Sequence, residues 1–153
     1  MATCELTFRD DNDELVVITA KVMSQLLSFR QLSPESHEAA GVLIGERRGI
    51  HLVIHDLSVP GKGDKRTRFS VDRCGPHHQE AVDAAFYRSE GTLQYLGEWH
   101  THPEDFPHPS FRDKRSWQSN LTVPAPVVLI IVGKKSLWAA KKTENSMLLL
   151  TEA

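Results

Sequence analysis

The stretch Leu93–Asp113, LQYLGEWHTHPEDFPHPSFRD, decides how the chain is read. Residues Leu93 to His102 alternate as a strand does, and side chains at i and i+2 share a face of a sheet, so His100 and His102 aim at one point. Pro103, Pro107 and Pro109 forbid continuation as strand or helix, so the chain turns, and Ser110-Phe-Arg-Asp113 opens a helix. Asp113 therefore arrives from a second element. Two histidines and one carboxylate make a three-ligand set that leaves the fourth tetrahedral position of zinc to water, the arrangement of a catalytic rather than a structural site. Each half of the pattern also has a plainer reading. His-x-His at a strand end occurs as two solvated side chains. Ser110-x-x-Asp113 is by itself a capping box, with the serine accepting from a backbone N–H and the aspartate at the positive end of the helix.

Upstream of this stretch, Gly41-Val-Leu-Ile-Gly45 is a continuous apolar strand of the kind buried on both faces of a sheet. Glu38 stands just before it, and a carboxylate poised beside a water-activating metal is what general-base chemistry requires. Glu35, next to Pro34, reads as solvated, and His37 as a loop residue. Further back, Cys4 to Phe8 and Leu15 to Ile18 flank the polar Asp10-Asp-Asn-Asp13 as a hairpin. Thr19 caps an amphipathic helix over Ala20 to Leu32, ended by Ser33-Pro34. After the apolar strand, Glu46-Arg-Arg-Gly49 reads as a turn and Ile50 to Val59 as its partner strand, with His51 and His55 outward. Pro60 to Arg68, PGKGDKRTR, lacks any hydrophobic period and reads as a flexible, solvated loop; its functional alternative is a lid whose basic residues meet an acidic stretch of a partner. Phe69 to Val71 is a brief strand, and a helix runs from Gly75-Pro76 to about Ser89 with Val82, Ala85 and Phe86 on its apolar face, stopped by Gly91.

Downstream, Ser110 to about Leu121 is helical with Trp117 and Leu121 inward. Val127 to Val132 is an unbroken β-branched run, Gly133-Lys-Lys-Ser136 a turn, and Leu137 to Lys141 and Met147 to Leu150 are the last strands. Trp99, Phe106 and Phe111 read as packing around the proline-rich turn, and Glu104 and Asp105 as solvated. A mostly β chain with three helices in this order suits an α/β sandwich with a mixed sheet.

With 153 residues, 40% hydrophobic and 25% charged, the composition is that of one globular domain over residues 1–153. A formal net charge of −2 provides no general attraction to nucleic acid or to an anionic membrane, so neither is expected as a partner. Cys4 and Cys74 form no Cys-x-x-Cys pair and read as free thiols. No signal-peptide pattern opens the chain, and no apolar run approaches the ~20 residues that span a bilayer, so the expected location is the cytoplasm.

Taken together, Glu38, His100-Thr-His-Pro103 and Ser110-x-x-Asp113, with seven residues between His102 and Ser110, resemble the multi-part motif of the JAMM (MPN-plus, or JAB) zinc metallopeptidases. Glu38 precedes the Gly41-x-Leu-x-Gly45 run by the three residues found in that family. The resemblance implies the cytidine-deaminase-like MPN fold, Zn²⁺ held by His100, His102 and Asp113, Glu38 as acid/base, and Ser110 as a hydrogen-bond donor near the developing oxyanion. It also favours Asp113 over His108 as the third ligand.

For substrate, the resemblance implies amide bonds after the C-terminus of ubiquitin or a ubiquitin-like protein. The compact chain, the segment PESHEAAGVLIGER and the loop PGKGDKRTRFSVD are similar to the small bacterial branch found in CBASS anti-phage operons. In that branch the implied task is to release a cGAS-like nucleotidyltransferase from targets to which an E1/E2-like enzyme has joined it. A peptidase processing a ubiquitin-like sulfur-carrier protein and a non-catalytic MPN scaffold are the alternatives, and retention of the whole ligand set argues against the scaffold.

Overall fold

The computed structural model describes residues 4–121 and 123–153. In chain order the elements are β1 (Leu6–Arg9), β2 (Leu15–Ile18), α1 (Ala20–Ser28), β3 (Ala40–Arg48), β4 (His51–Leu57), β5 (Lys65–Arg66), β6 (Val71–Asp72) and α2 (His77–Arg88). They continue as β7 (Gln94–Thr101), α3 (Phe111–Asn120), β8 (Val127–Val132), β9 (Leu137–Lys142), β10 (Met147–Leu149) and β11 (Thr151–Glu152). Nine strands form one sheet in the order β10-β9-β8-β7-β3-β4-β2-β1-β11, and β5 and β6 form a separate small hairpin. The sheet is mixed: β2 runs parallel to β4 and β7 parallel to β8, while the other pairs are antiparallel.

The apolar runs at the centre bury both faces because helices cover both. In β3, Leu43 joins a core with Leu26 of α1, Trp99, Val128 and Ile130, whereas Val42 and Ile44 pack on the opposite side with Ala85 of α2. In β8 the same alternation sends Leu129 and Ile131 under Trp117 of α3. The result is an α/β sandwich with α1 on one face and α2 and α3 on the other. The sheet curls strongly enough that Asp10 and Glu14, beside the β1–β2 turn, reach Lys141 of β9 at 2.8 and 3.1 Å.

Three sequence-based expectations about the elements change. The first helix ends at Ser28 instead of Leu32, because Arg30 Nε donates to the Leu27 carbonyl and Gln31 then turns fully inward, leaving Leu32 exposed. The second change concerns β3, which continues through Glu46 to Arg48 so that the turn contracts to Gly49-Ile50, with Gly49 at φ +62°. Finally, Pro60 to Arg68 is structured: Lys65–Arg66 pairs with Val71–Asp72. Among the aromatic side chains Trp99 is fully buried, as expected, but Phe86, Phe106 and Phe111 are exposed and do not pack as expected.

The position that fixes the site strand most tightly is Gly97 of β7, at φ +147°, where a Cβ would stand 1.8 Å from the Val128 carbonyl oxygen. Gly97→Ala must part β7 from β8, and overpacking against backbone cannot be relieved by a rotamer change. A loss of about 3 kcal/mol or more is expected, checked by thermal or urea unfolding; a melt within 2 °C or so of wild type would contradict it.

Candidate metal centre

β7 lies between β3 and β8, with Ala40 opposite His100 on one side and Ile131 opposite His100 on the other. His100 and His102 point toward α3, where the His100 ring lies 6.0 Å from that of Trp117, while Trp99, one residue before His100, faces the α1 side and packs 5.4 Å from Phe29. Both histidines are buried. Their Nε2 atoms are 3.1 Å apart, and Oδ2 of Asp113 stands 3.2 Å from that of His100 and 3.0 Å from that of His102.

Asp113 is aimed by the helix cap. The Ser110 N–H donates to Asp113 Oδ2 at 2.8 Å and the Asp113 N–H donates to Ser110 Oγ at 3.0 Å, a complete capping box. The two readings of Ser110-x-x-Asp113 therefore hold together, since the same oxygen caps the helix and faces the histidines. Ser110 Oγ only accepts in this box, so its own proton remains free to donate into the cleft.

The donor set fits a metal ion. His102 Nδ1 lies 2.8 Å from Glu104 Oε1, so in the neutral ring that nitrogen carries the proton and Nε2 presents its lone pair to the cluster. Three ligand atoms 3.0 to 3.2 Å apart are close to the ~3.3 Å required by bonds of 2.0–2.1 Å to one tetrahedral ion. The electrostatics agree. Burial opposes a charge on His102, yet hydrogen bonds to Asp113 and Glu104 push it up to about 9. Burial likewise works against ionised Asp113, yet the two histidines hold it well below the usual carboxylate range. The Asp113 carboxylate thus draws positive charge toward the point where the three groups meet.

A second group of similar composition, Asp64, His77 and His78, behaves differently. His78 Nδ1 meets Ser58 Oγ at 2.6 Å and its Nε2 meets Asp64 at 3.0 Å, His77 Nε2 meets the Val59 carbonyl at 2.7 Å, and Asp64 accepts from the N–H groups of Gly61 and Gly75. The engaged ring nitrogens face oxygen atoms rather than one another, so this group is a clasp that ties the segment before α2 to the sheet.

All five residues singled out from the sequence line one open cleft of about 660 Å³: Glu38, His100, His102, Ser110 and Asp113. Its walls are Phe69 to Arg73 on one side and Trp117 and Asn120 of α3 on the other. Glu38 is 6% exposed. Burial pushes its carboxyl up to about 7, with Asp113 and Glu104 adding to the rise and His102 and Arg112 opposing it. Half-protonation near neutral pH is the state in which a carboxyl both takes and returns a proton.

Glu104 is exposed, as expected, but sequence reasoning missed that it also meets His102 Nδ1. The available signal was a carboxylate two residues beyond a histidine ligand, where such outer partners fix the ring. It also missed Arg66, whose Nε donates to the Glu38 carbonyl at 2.7 Å.

Residues 19–149 match the model of a family described as prokaryotic homologs of the JAB domain. The chain is 56% identical over 142 residues to a Vibrio cholerae protein called CD-NTase/cGAS isopeptidase, covering 93% of this chain and 91% of that one. It is 50% identical to an Escherichia coli protein of the same name, covering 94% and 92%. In fold it is similar to the solution structure of protein DSY2949 from Desulfitobacterium hafniense, with a TM-score of 0.60 and 21% identity, covering 89% of this chain and 88% of that one.

The raised Glu38 carboxyl has a stability consequence. The native chain holds this proton more tightly than the unfolded chain, so the contribution is complete below the ordinary glutamate value and is lost as pH rises through about 7. In chelator-treated protein, Glu38→Gln is therefore expected to melt above wild type at pH 8, with the difference closing toward pH 4.5. Parallel melts of the two proteins across this range test it, and a difference independent of pH would refute it.

Proposed function

The chain belongs to the prokaryotic JAB-domain family, and we propose that it is a zinc-dependent isopeptidase that releases a cGAS-like nucleotidyltransferase from the targets to which its C-terminus is joined. The observation that carries this reading is one cleft in which His100, His102 and Asp113 converge within 3.2 Å beside the buried carboxyl of Glu38. The relatives at 56% and 50% identity, both called CD-NTase/cGAS isopeptidase, support the substrate class.

His100, His102 and Asp113 are the residues that would hold the zinc ion, with Glu104 keeping His102 in the required tautomer. Bound there, zinc supplies Lewis acidity and brings a water's pKa toward neutrality. Glu38 takes a proton from the attacking water as its oxygen bonds to the amide carbon. The same carboxyl then returns that proton to the leaving nitrogen as the C–N bond breaks, which leaves a C-terminal carboxylate and a free amine. The Ser110 hydroxyl donates to the oxyanion that develops on the carbonyl oxygen, a contribution of about 3 kcal/mol for one well-aimed donor.

The reading extends to context. The enzyme acts in CBASS anti-phage signalling, reverses the work of an E1/E2-like conjugating system, operates in the cytoplasm, and is one domain over residues 1–153. Among the described residues no helix is long and apolar enough to cross a membrane.

The test measures zinc per chain together with cleavage of a fusion placed after the nucleotidyltransferase C-terminal tail. Wild type is expected to carry about one zinc and to lose activity on chelation. Glu38→Ala keeps the zinc and loses cleavage by about 10³-fold or more; loss of zinc instead would reassign Glu38 as a ligand. Asp113→Ala loses zinc, and Ser110→Ala lowers turnover about 10²-fold with zinc retained. A zinc-loaded wild type that cleaves only fusions ending in other ubiquitin-like tails would move the substrate to another member of that class.

A further inference from the structure

Resting on that reading, the geometry points to Arg66 as a positioning residue that sets the Glu38 carboxyl by holding its peptide unit from the β5–β6 hairpin. Glu38 lies outside any strand, so its placement depends on individual hydrogen bonds. Four of them clamp residues 38 and 39. The Thr101 N–H donates to the Ala39 carbonyl and the Ala39 N–H donates to Thr101 Oγ1, both at 2.9 Å, which joins the segment to the strand carrying the histidines. The other two bonds go to the hairpin. The Glu38 N–H donates to the Thr67 carbonyl at 2.7 Å, and Arg66 Nε donates to the Glu38 carbonyl at 2.7 Å while its Nη2 reaches the His37 carbonyl at 3.4 Å.

A grip from a mobile loop would position nothing, but this hairpin is itself anchored on both sides. Asp64, one side chain before β5, accepts from the N–H groups of Gly61 and Gly75 and from the buried His78, whose other nitrogen meets Ser58 Oγ. On the far side Gln31, fully buried, donates from Nε2 to the Arg68 carbonyl at 2.8 Å and accepts from Thr101 Oγ1 at 2.9 Å. Thr101 sits between the two histidines. The hairpin, the Glu38 segment and the ligand strand are therefore tied in one hydrogen-bonded ring, and Arg66 is the side chain in it that meets the Glu38 carbonyl.

Arg66 does not line the cleft and is separate from the metal ligands, so its effect should appear in turnover. A proton-transfer group displaced by about 1 Å can cost up to 10²-fold in rate. The experiment compares wild type, R66M, which keeps the side chain's bulk but no donor, and R66K, which keeps one donor, as zinc-loaded full chains on the fusion substrate, with E38A as the control.

For R66M a fall in kcat of roughly 10- to 100-fold is expected, with KM within about twofold, and with zinc content and melting temperature unchanged. R66K should recover part of the loss, which a purely structural role for a partly exposed arginine would not require. Wild-type kcat in R66M, a change confined to KM, or loss of zinc would each overturn the assignment. If wild type itself fails to cleave this fusion, the substrate reading fails; if E38A remains active, the acid/base role of Glu38 fails and the role of Arg66 with it.

Discussion

The structure depends on the antiparallel pairing of β3 with β7. Its register sets Ala40 against His100, and one residue earlier the Ala39 carbonyl takes the Thr101 N–H. This pairing converts a separation of more than sixty residues in sequence into direct adjacency, so that a carboxyl just before one strand lies beside two imidazoles at the end of another. A slip by one residue would turn His100 and His102 to the α1 face and bring Trp99 into the cleft, because side chains alternate along a strand. The register is held by Gly97, whose missing side chain admits the Val128 carbonyl of β8, and by the fit of Trp99 into the α1 core, where its Nε1 donates to the Ser58 carbonyl.

From that pairing the remaining parts of the site follow by short links. The proline-rich segment after His102 carries the chain across to α3, and the capping box at its start turns Oδ2 of Asp113 toward the histidines. One interaction thus starts a helix and sets a carboxylate oxygen against two imidazoles. Such economy explains why a capping signature and a metal motif coincide in sequence: the carboxylate that accepts the N-cap N–H has lone pairs left for an ion.

The two His-His-carboxylate groups show what distinguishes a metal centre from a clasp. Composition is the same, but around Asp64 the engaged ring nitrogens meet carbonyl, hydroxyl or carboxylate oxygens, whereas at the cleft two imidazole nitrogens and a carboxylate oxygen meet one another. Packing like lone pairs together in a buried place is costly unless a cation joins them. The buried Glu38 beside them completes a set of groups whose proton affinities are pushed apart, a hallmark of acid/base sites.

Much of this was legible in the chain itself. The alternation ending in His-x-His, the prolines that force a turn, and Ser110-x-x-Asp113 together single out the candidate ligands that the structure brings together, because i and i+2 geometry and helix capping are local rules that hold before any packing. The apolar runs of β3 and β8 likewise announce strands buried on both faces. Other features were decided only in three dimensions. The contact of the solvated Glu104 with His102 Nδ1 appears only when the turn folds back, and PGKGDKRTR reads as a loose basic loop until Asp64, Arg66 and the Arg68 carbonyl find partners far away in sequence. The first helix stops early because Gln31 has buried partners at Ser36, Arg68 and Thr101, and no local pattern records them. Sequence by itself determined which groups are candidates for the chemistry, since that depends on residue type and short-range geometry. Tertiary structure decided what holds those groups in place, since that depends on hydrogen bonds between segments whose separation along the chain erases any local signal.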